Sequence, residues 1–261
     1  MVSAPGKFAP NRQSRSGEDL VECSQCPVMG RALWDRVPSS ALQRFERARK
    51  QVPVRRNTVL FQEGDACDAV YTLIDGSVVL GRANAKGVRK AVQLIYPGHT
   101  FGFRGMIESG RHHVSAWCGL DSLLCRIPVS AAEQAFKDNP HLEDVFLRDL
   151  AGNLGATQDR MLASVTLGVR ERLVLMLAEL MKDFSKDMGE SQLITTPVSR
   201  TDMASLAGMT PETLSRCIRQ LQLENLAHFS RRHILIPSKE KFLMVVEGIS
   251  PRDSLSGGAV S

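Results

Sequence analysis

The stretch from Val198 to Glu224, VSRTDMASLAGMTPETLSRCIRQLQLE, constrains this chain more than any other. It reads as two short helices joined by a tight turn. Ser199 is placed to cap a first helix whose inward residues are Met203, Ala204 and Ala207. Gly208 supplies the left-handed backbone that ends a helix cheaply. Thr210 is a good N-cap and Pro211 suits the first position of a second helix. On that helix Leu214, Cys217, Ile218 and Leu221 recur at helical spacing as one apolar face, and Glu212, Ser215, Arg216 and Arg219 follow the same spacing on the other. The polar set matches base-edge chemistry in a DNA major groove. A carboxylate accepts from cytosine N4, an arginine donates twice to guanine, and a serine serves either base type. The N-terminal part of a recognition helix is the part that meets base edges. The same spacing also fits two surface helices with a solvated charged face.

The segment C-terminal to these helices favours the DNA reading. Residues 226–236, LAHFSRRHILI, read as a short hairpin with Arg231 and Arg232 near its turn, a wing whose basic side chains reach phosphates. From Ser199 to His233 five arginines stand against three acids. The backbone-contact set is Ser199, Thr210, Thr213, Arg219, Arg231 and Arg232, and the base-contact set is Glu212, Ser215 and Arg216.

At 261 residues the chain has room for two domains of about 100–150 residues each. A net charge of +5 suits a polyanionic partner and is equally common in other proteins. No segment approaches the roughly 20 apolar residues that span a bilayer, and the polar start lacks a signal-peptide core, so a cytoplasmic location is expected. Six cysteines, at 23, 26, 67, 118, 125 and 217, then argue for thiols or metal ligation over structural disulfides.

The expected organisation runs from a disordered lead (1–20) through a β-rich domain with an N-terminal cysteine segment (21–138) to a long helix (139–167). A DNA-binding domain (168–248) and a flexible tail (249–261) complete it. Residues 38–50 read as a short capped helix. Strand-like runs at 58–61, 69–74, 77–82, 91–96, 113–117 and 123–127, separated by turn signals, predict a sandwich or barrel. A small helix at 129–136 precedes the long one, which Gly168 is expected to end, and another is expected at 169–184. Leu147, Leu150, Leu154, Thr157, Met161 and Val165 lie near a seven-residue repeat, a seam suited to a second copy of the chain. Val145 and Phe146 lie on another side, and packing of the stripe on its own β-domain is the competing reading.

Taken together, FQEGDACDAVYTLIDGSVVL and YPGHTFGF in the β-rich part and TPETLSR in the helical part resemble the CRP/FNR family of bacterial transcription regulators over about residues 20–245. The resemblance implies an α+β chain that is not an enzyme. It has an N-terminal β-roll like a cyclic-nucleotide-binding jelly roll, a dimerisation helix and a C-terminal winged helix-turn-helix. The implied partners are double-stranded DNA, a second copy and RNA polymerase. Cyclic-nucleotide binders of the family carry a glutamate after the turn glycine and an arginine before Ser-Ala. Here those places hold Phe103 and Val114, so no cyclic nucleotide is expected. Arg104 and Arg111 stand at the wrong offsets. The FNR-like subgroup fits better, because its Glu-x-x-Ser-Arg helix is matched by Glu212, Ser215 and Arg216. That match implies a palindrome resembling TTGAT-N4-ATCAA.

The family's oxygen sensor holds a [4Fe–4S] cluster. Cys23 and Cys26 in CSQCPVMGRALW match two of its N-terminal ligands, and Cys125 in LLCRIP matches the distal one. The chain departs from the pattern at Trp34, where such relatives have a third N-terminal cysteine. Cys118, Cys67, Glu22 or Asp35 would have to serve as fourth ligand. Otherwise the CxxC is a redox thiol pair, a zinc half-site or incidental. Cys217 reads as core, and Cys67 and Cys118 as packing residues. Oxygen-sensing relatives carry an aspartate on the dimer seam where this chain has Thr157, which implies pairing less dependent on a cluster. The leading expectation is a regulator that responds to oxygen or redox state through Cys23, Cys26 and Cys125; the competing readings are a cofactor-free regulator governed by abundance or thiol oxidation and, remotely, a cupin-like metalloenzyme using His99, His112 and His113. Against the last, the usual ligand spacing is missing, and neighbours on a strand, as His112 and His113 are expected to be, face opposite ways.

Overall fold

The computed structural model describes residues 22–37, 45–83 and 89–249. The lead expected at 1–20, the tail beyond 249 and most of the helix expected at 38–50 lie outside them. Of that helix one turn at 45–48 is described, and Lys50 already belongs to a strand.

The β-roll is two antiparallel sheets. One has the order β1 (Lys50–Val54), β8 (Ser122–Pro128), β3 (Ala69–Asp75) and β6 (Thr100–Phe101). The other runs β2 (Val59–Phe61), β7 (Ser115–Cys118), β4 (Val78–Ala83) and β5 (Arg89–Ile95). Side chains alternate across a strand, and here both faces of the central strands find cover. On β3, Ala69, Tyr71 and Leu73 enter the sandwich interior with Phe61, Val78 and Leu80. Val70 and Ile74 point outward, under the cysteine segment and the helices α1 (Phe103–Glu108), α2 (Val129–Asp138) and α3 (His141–Thr166). On β4, Val78 and Leu80 face inward and Val79 faces the C-terminal domain.

Leu142 and Phe146 anchor the first third of α3 on the β-roll, while Leu147, Leu150, Leu154, Met161 and Val165 remain exposed. Gly168 does not end this helix in a left-handed cap. Leu167 is its C-cap, and Gly168 is extended (φ −65, ψ 163) as N-cap of α4 (Val169–Phe184). A Cβ there would stand 2.2 Å from the Glu171 carboxylate, the mobile end of a flexible side chain that can move aside.

The C-terminal domain sets α4, α5 (Arg200–Leu206), α6 (Pro211–Leu223) and α7 (Lys239–Glu247) against a sheet of order β11 (His228–Phe229), β12 (His233–Ile236), β10 (Gln192–Thr195) and β9 (Ser185–Asp187). Leu173, Leu177, Leu180, Leu214, Leu221 and Phe242 are fully buried in its core. Each is worth about 1.5–3 kcal/mol of burial. That core runs on without a break into Val79, Ala91, Leu94 and Trp117 of the β-roll.

Candidate nucleic-acid interface and cysteine cluster

The helix-turn-helix forms as its caps dictate. Ser199 Oγ accepts from the Asp202 amide at 3.0 Å, and Thr210 Oγ1 from the Thr213 amide at 3.2 Å, with Pro211 at the first turn of α6. Each cap satisfies an amide that the first turn leaves unpaired. Gly208, at φ +64, turns the chain between the helices. Met203, Ala204, Leu214, Cys217, Ile218 and Leu221 all face inward.

The opposite face of α6 presents Glu212, Ser215, Arg216 and Arg219 to solvent. Glu212 is held below the usual carboxylate range by its own first-turn amide, then by Thr210, with Arg216 and Lys90 adding positive field. It is therefore a committed acceptor at neutral pH. Ser215 Oγ donates to Pro211 O at 2.9 Å, which leaves its oxygen lone pairs to face outward. Arg231 and Arg232 are exposed at the β11–β12 turn, which Ser230 closes by donating to His233 O at 2.9 Å. The structure thus brings Glu212, Ser215 and Arg216 together on the exposed face of one helix and sets Arg231 and Arg232 on the hairpin of the same domain.

The whole C-terminal domain is seated on the β-roll. Helix α5 lies against β5, and Ser77 Oγ donates to Pro197 O at 2.5 Å. Lys90 on β5 comes close enough to α6 for its charge to act on Glu212. Sequence reasoning missed this seam, and nothing local in the strands signals it.

Cys23, Cys26 and Cys125 do converge in one hydrophobic cluster. Two residues that the sequence did not flag join them. The Cys23 amide donates to the Glu46 carboxylate, and the Arg49 guanidinium lies 4.0 Å from Cys125 Sγ. Burial pushes the Cys23 thiol up to about 12 and raises that of Cys125 against the pull of Arg49. The Cys23 amide, first among several contacts, holds Glu46 below the usual carboxylate range. Cys67 and Cys118 lie elsewhere in the β-roll, Cys67 against Ala69 O and Gly102 O, Cys118 in the sandwich core. Cys217 is in the core of the C-terminal domain.

Iron–sulfur clusters of this kind take four thiolates. Among the described residues no group of three or more His, Cys, Asp or Glu is arranged to hold a metal ion. The place of the missing cysteine is filled by Trp34, whose indole Nε1 donates to Thr72 Oγ1 at 2.9 Å. The donor set as packed does not fit a [4Fe–4S] cluster.

A cavity of about 560 Å³ opens between the β-roll, α3 and α5, with Phe61, Leu80, His112, Val114, Met161 and Leu206 among its lining. Arg104 also borders it but donates to Glu108 at 3.0 Å, and Arg111 is turned to Gly64 O at 2.8 Å. His112 and His113 are not on a strand, contrary to expectation. They form the bend before β7, where His112 stacks on Phe61 at 3.6 Å and His113 approaches Glu108 at 3.2 Å.

A β-roll joined by a long helix to a winged helix-turn-helix is the layout of a DNA-binding regulator. Residues 51–139 match the family model described as a cyclic nucleotide-binding domain, and residues 171–243 match the Crp-like helix-turn-helix domain. The chain is 21% identical over 242 residues to the fumarate and nitrate reduction regulatory protein of Yersinia pestis, covering 92% of this chain and 96% of that one. It is 21% identical over 226 residues to the anaerobic regulatory protein of Haemophilus influenzae, covering 86% and 88%. The solved structure of FixK2 from Bradyrhizobium japonicum superposes with a TM-score of 0.66 at 24% identity, over 76% of this chain and 96% of that one. The chain belongs to the CRP/FNR family of transcription regulators. Among the described residues no helix is long and apolar enough to cross a membrane.

Proposed function

We propose that this chain is a homodimeric regulator that reads a palindrome of the TTGAT-N4-ATCAA type and works with RNA polymerase at promoters. The observation that carries this reading is the outer face of α6. Glu212, Ser215 and Arg216 stand exposed together at its capped N-terminal end, opposite a fully apolar face. Half-sites one helical turn apart need two such helices related by a twofold axis. The exposed stripe on α3 supports that pairing. The test is binding to the palindrome and to a scrambled duplex at one fixed salt concentration. The reading expects a preference of at least about 10³-fold. Equal affinities would overturn it.

For the signal, the cofactor-free reading has the better support, because Trp34 stands where a fourth thiolate is needed. Redox response then falls to the thiols of Cys23, Cys26 and Cys125, of which Cys26 is the half-exposed one. Arg104 and Arg111 are both turned to other partners, which supports a regulator that takes no cyclic nucleotide.

A further inference from the structure

Trp34 is 3% exposed and lies at the centre of an aromatic box. Its ring centroid is 4.9 Å from that of Phe45 and 6.0 Å from those of Phe103 and Phe136. The indole N–H is satisfied inside the box by Thr72, itself buried and bonded to Thr100 at 2.9 Å. A buried tryptophan with its polar handle matched is a rigid, high-area anchor.

The box reaches the dimer helix. Phe103 and Phe136 both touch Phe146 of α3, at 4.7 and 5.5 Å. Phe146 and Leu142 are the two buried residues of that helix, and both belong to the cluster around Trp34. The exposed seam begins at the next residue, Leu147. The direction in which α3 leaves the β-roll, and so the face it offers to a second copy, is set where Phe146 meets the Trp34 box. The 3-10 turn that carries Trp34 (Leu33–Arg36) also lies directly against α3.

We propose that Trp34 is a positioning residue that seats the dimer helix, so that the chain pairs without any cofactor in its cysteine segment. The inference rests on the homodimer in the proposed function. It turns the departure from the four-cysteine pattern into a gain. Where a cluster would tie the segment to the β-roll by metal–sulfur bonds, an indole ties it by packing and one hydrogen bond.

The experiment is sedimentation of the full chain, purified without added iron, as wild type and as Trp34→Phe, Trp34→Leu and Trp34→Ala. Leu154→Glu serves as the seam reference. Wild type is expected to be dimeric at micromolar concentration. Trp34→Phe keeps a ring in the box and should stay within about threefold of it. Trp34→Leu and Trp34→Ala should weaken association about tenfold or more, as the cavity lets Phe146 relax. Should Trp34→Ala fail to fold, the emission of Trp34 in a Trp117→Phe background supplies the second readout. It should shift as dilution takes the protein from dimer to monomer. Unchanged association in folded Trp34→Leu, or emission blind to dissociation, would overturn the inference. A wild type that stays monomeric until iron and sulfide colour it would do the same. A wild-type dimer that ignores the palindrome would sink the DNA reading and leave Trp34 in place.

Discussion

Arg216 and Arg231 carry the same charge and are expected to carry different information. Arg216 stands one turn into α6 beside Ser215, where a guanidinium reaches guanine O6 and N7 together. Arg216→Ala is expected to cost about 1–3 kcal/mol on the palindrome and to relax preference at a single base pair. Titration against duplexes that vary that pair checks it, and an equal loss on random DNA would make Arg216 a phosphate contact. Arg231, at the hairpin turn, should act on all sequences alike. Arg231→Ala is expected to lower affinity uniformly and reduce the slope of log K against log salt by about one. His112 carries a pH dependence. Burial against Phe61 lowers its pKa, with Asp65 and Asp68 opposing and His113 adding to the fall. A histidine that titrates lower folded than unfolded contributes stability above its unfolded value, about 6.5. That contribution is lost as pH falls from there through the folded value. His112→Phe should therefore flatten the acid-side decline in melting temperature, and an unchanged decline would assign the effect to other groups.

The helix α3 changes character along its length. Its first third is anchored by Leu142 and Phe146, while Leu154 and Val165, at 60% and 76% exposed, leave an apolar side further along with little cover from the described chain. Leu154→Glu sets two carboxylates against each other if the seam pairs, and the expected outcome is a folded monomer by sedimentation with operator binding lost. A dimer of unchanged affinity would place the interface elsewhere. Elements were legible in the sequence where short-range rules decide them. The caps at Ser199 and Thr210, the turn at Gly208 and the span Val169–Phe184 follow from residues a few positions apart. The unread elements depend on distant partners. Strand β1 contains Pro53, which sequence rules demote, and it exists because an edge strand has one side that needs no amide. Strand β6 is two residues long and is defined by pairing with Tyr71 and Thr72. The cysteine cluster was half legible. Its sulfurs could be named, but Arg49 meets Cys125 across 76 positions and Glu46 meets Cys23 across 23, with no local pattern to announce either.

At the scale of the whole molecule, the question is what sets the distance between two recognition helices. The proposed palindrome, with half-sites one turn of DNA apart, would require a separation of about 34 Å, so in the proposed dimer each C-terminal domain would sit at a defined place relative to α3. The chain supplies two restraints. One is the short link from Leu167 through Gly168 into α4, held by Arg172, whose guanidinium donates to Leu167 O at 2.8 Å and Gly208 O at 3.0 Å. The other is the seam on the β-roll, where Gly119 lies so close that a Cβ would stand 2.1 Å from Pro197 O and 2.7 Å from Ser77 Oγ. Backbone on backbone cannot yield as a flexible side chain can, so Gly119→Ala must lift the C-terminal domain off the β-roll at that point. The seat of α3 on the β-roll is remote from Gly119, in a separate cluster around Phe146. Association of the two copies should therefore survive the substitution, and so should the fold of α6, whose caps are internal to its own domain. What should suffer is the spacing. Operator affinity is expected to fall by about tenfold or more, because binding would then have to order a domain that the seam had held in place. Lengthening the spacer between half-sites by one base pair should penalise Gly119→Ala less than wild type. A rise in affinity would mean the opposite, that the seam holds the recognition helices out of register and that DNA binding begins by breaking it.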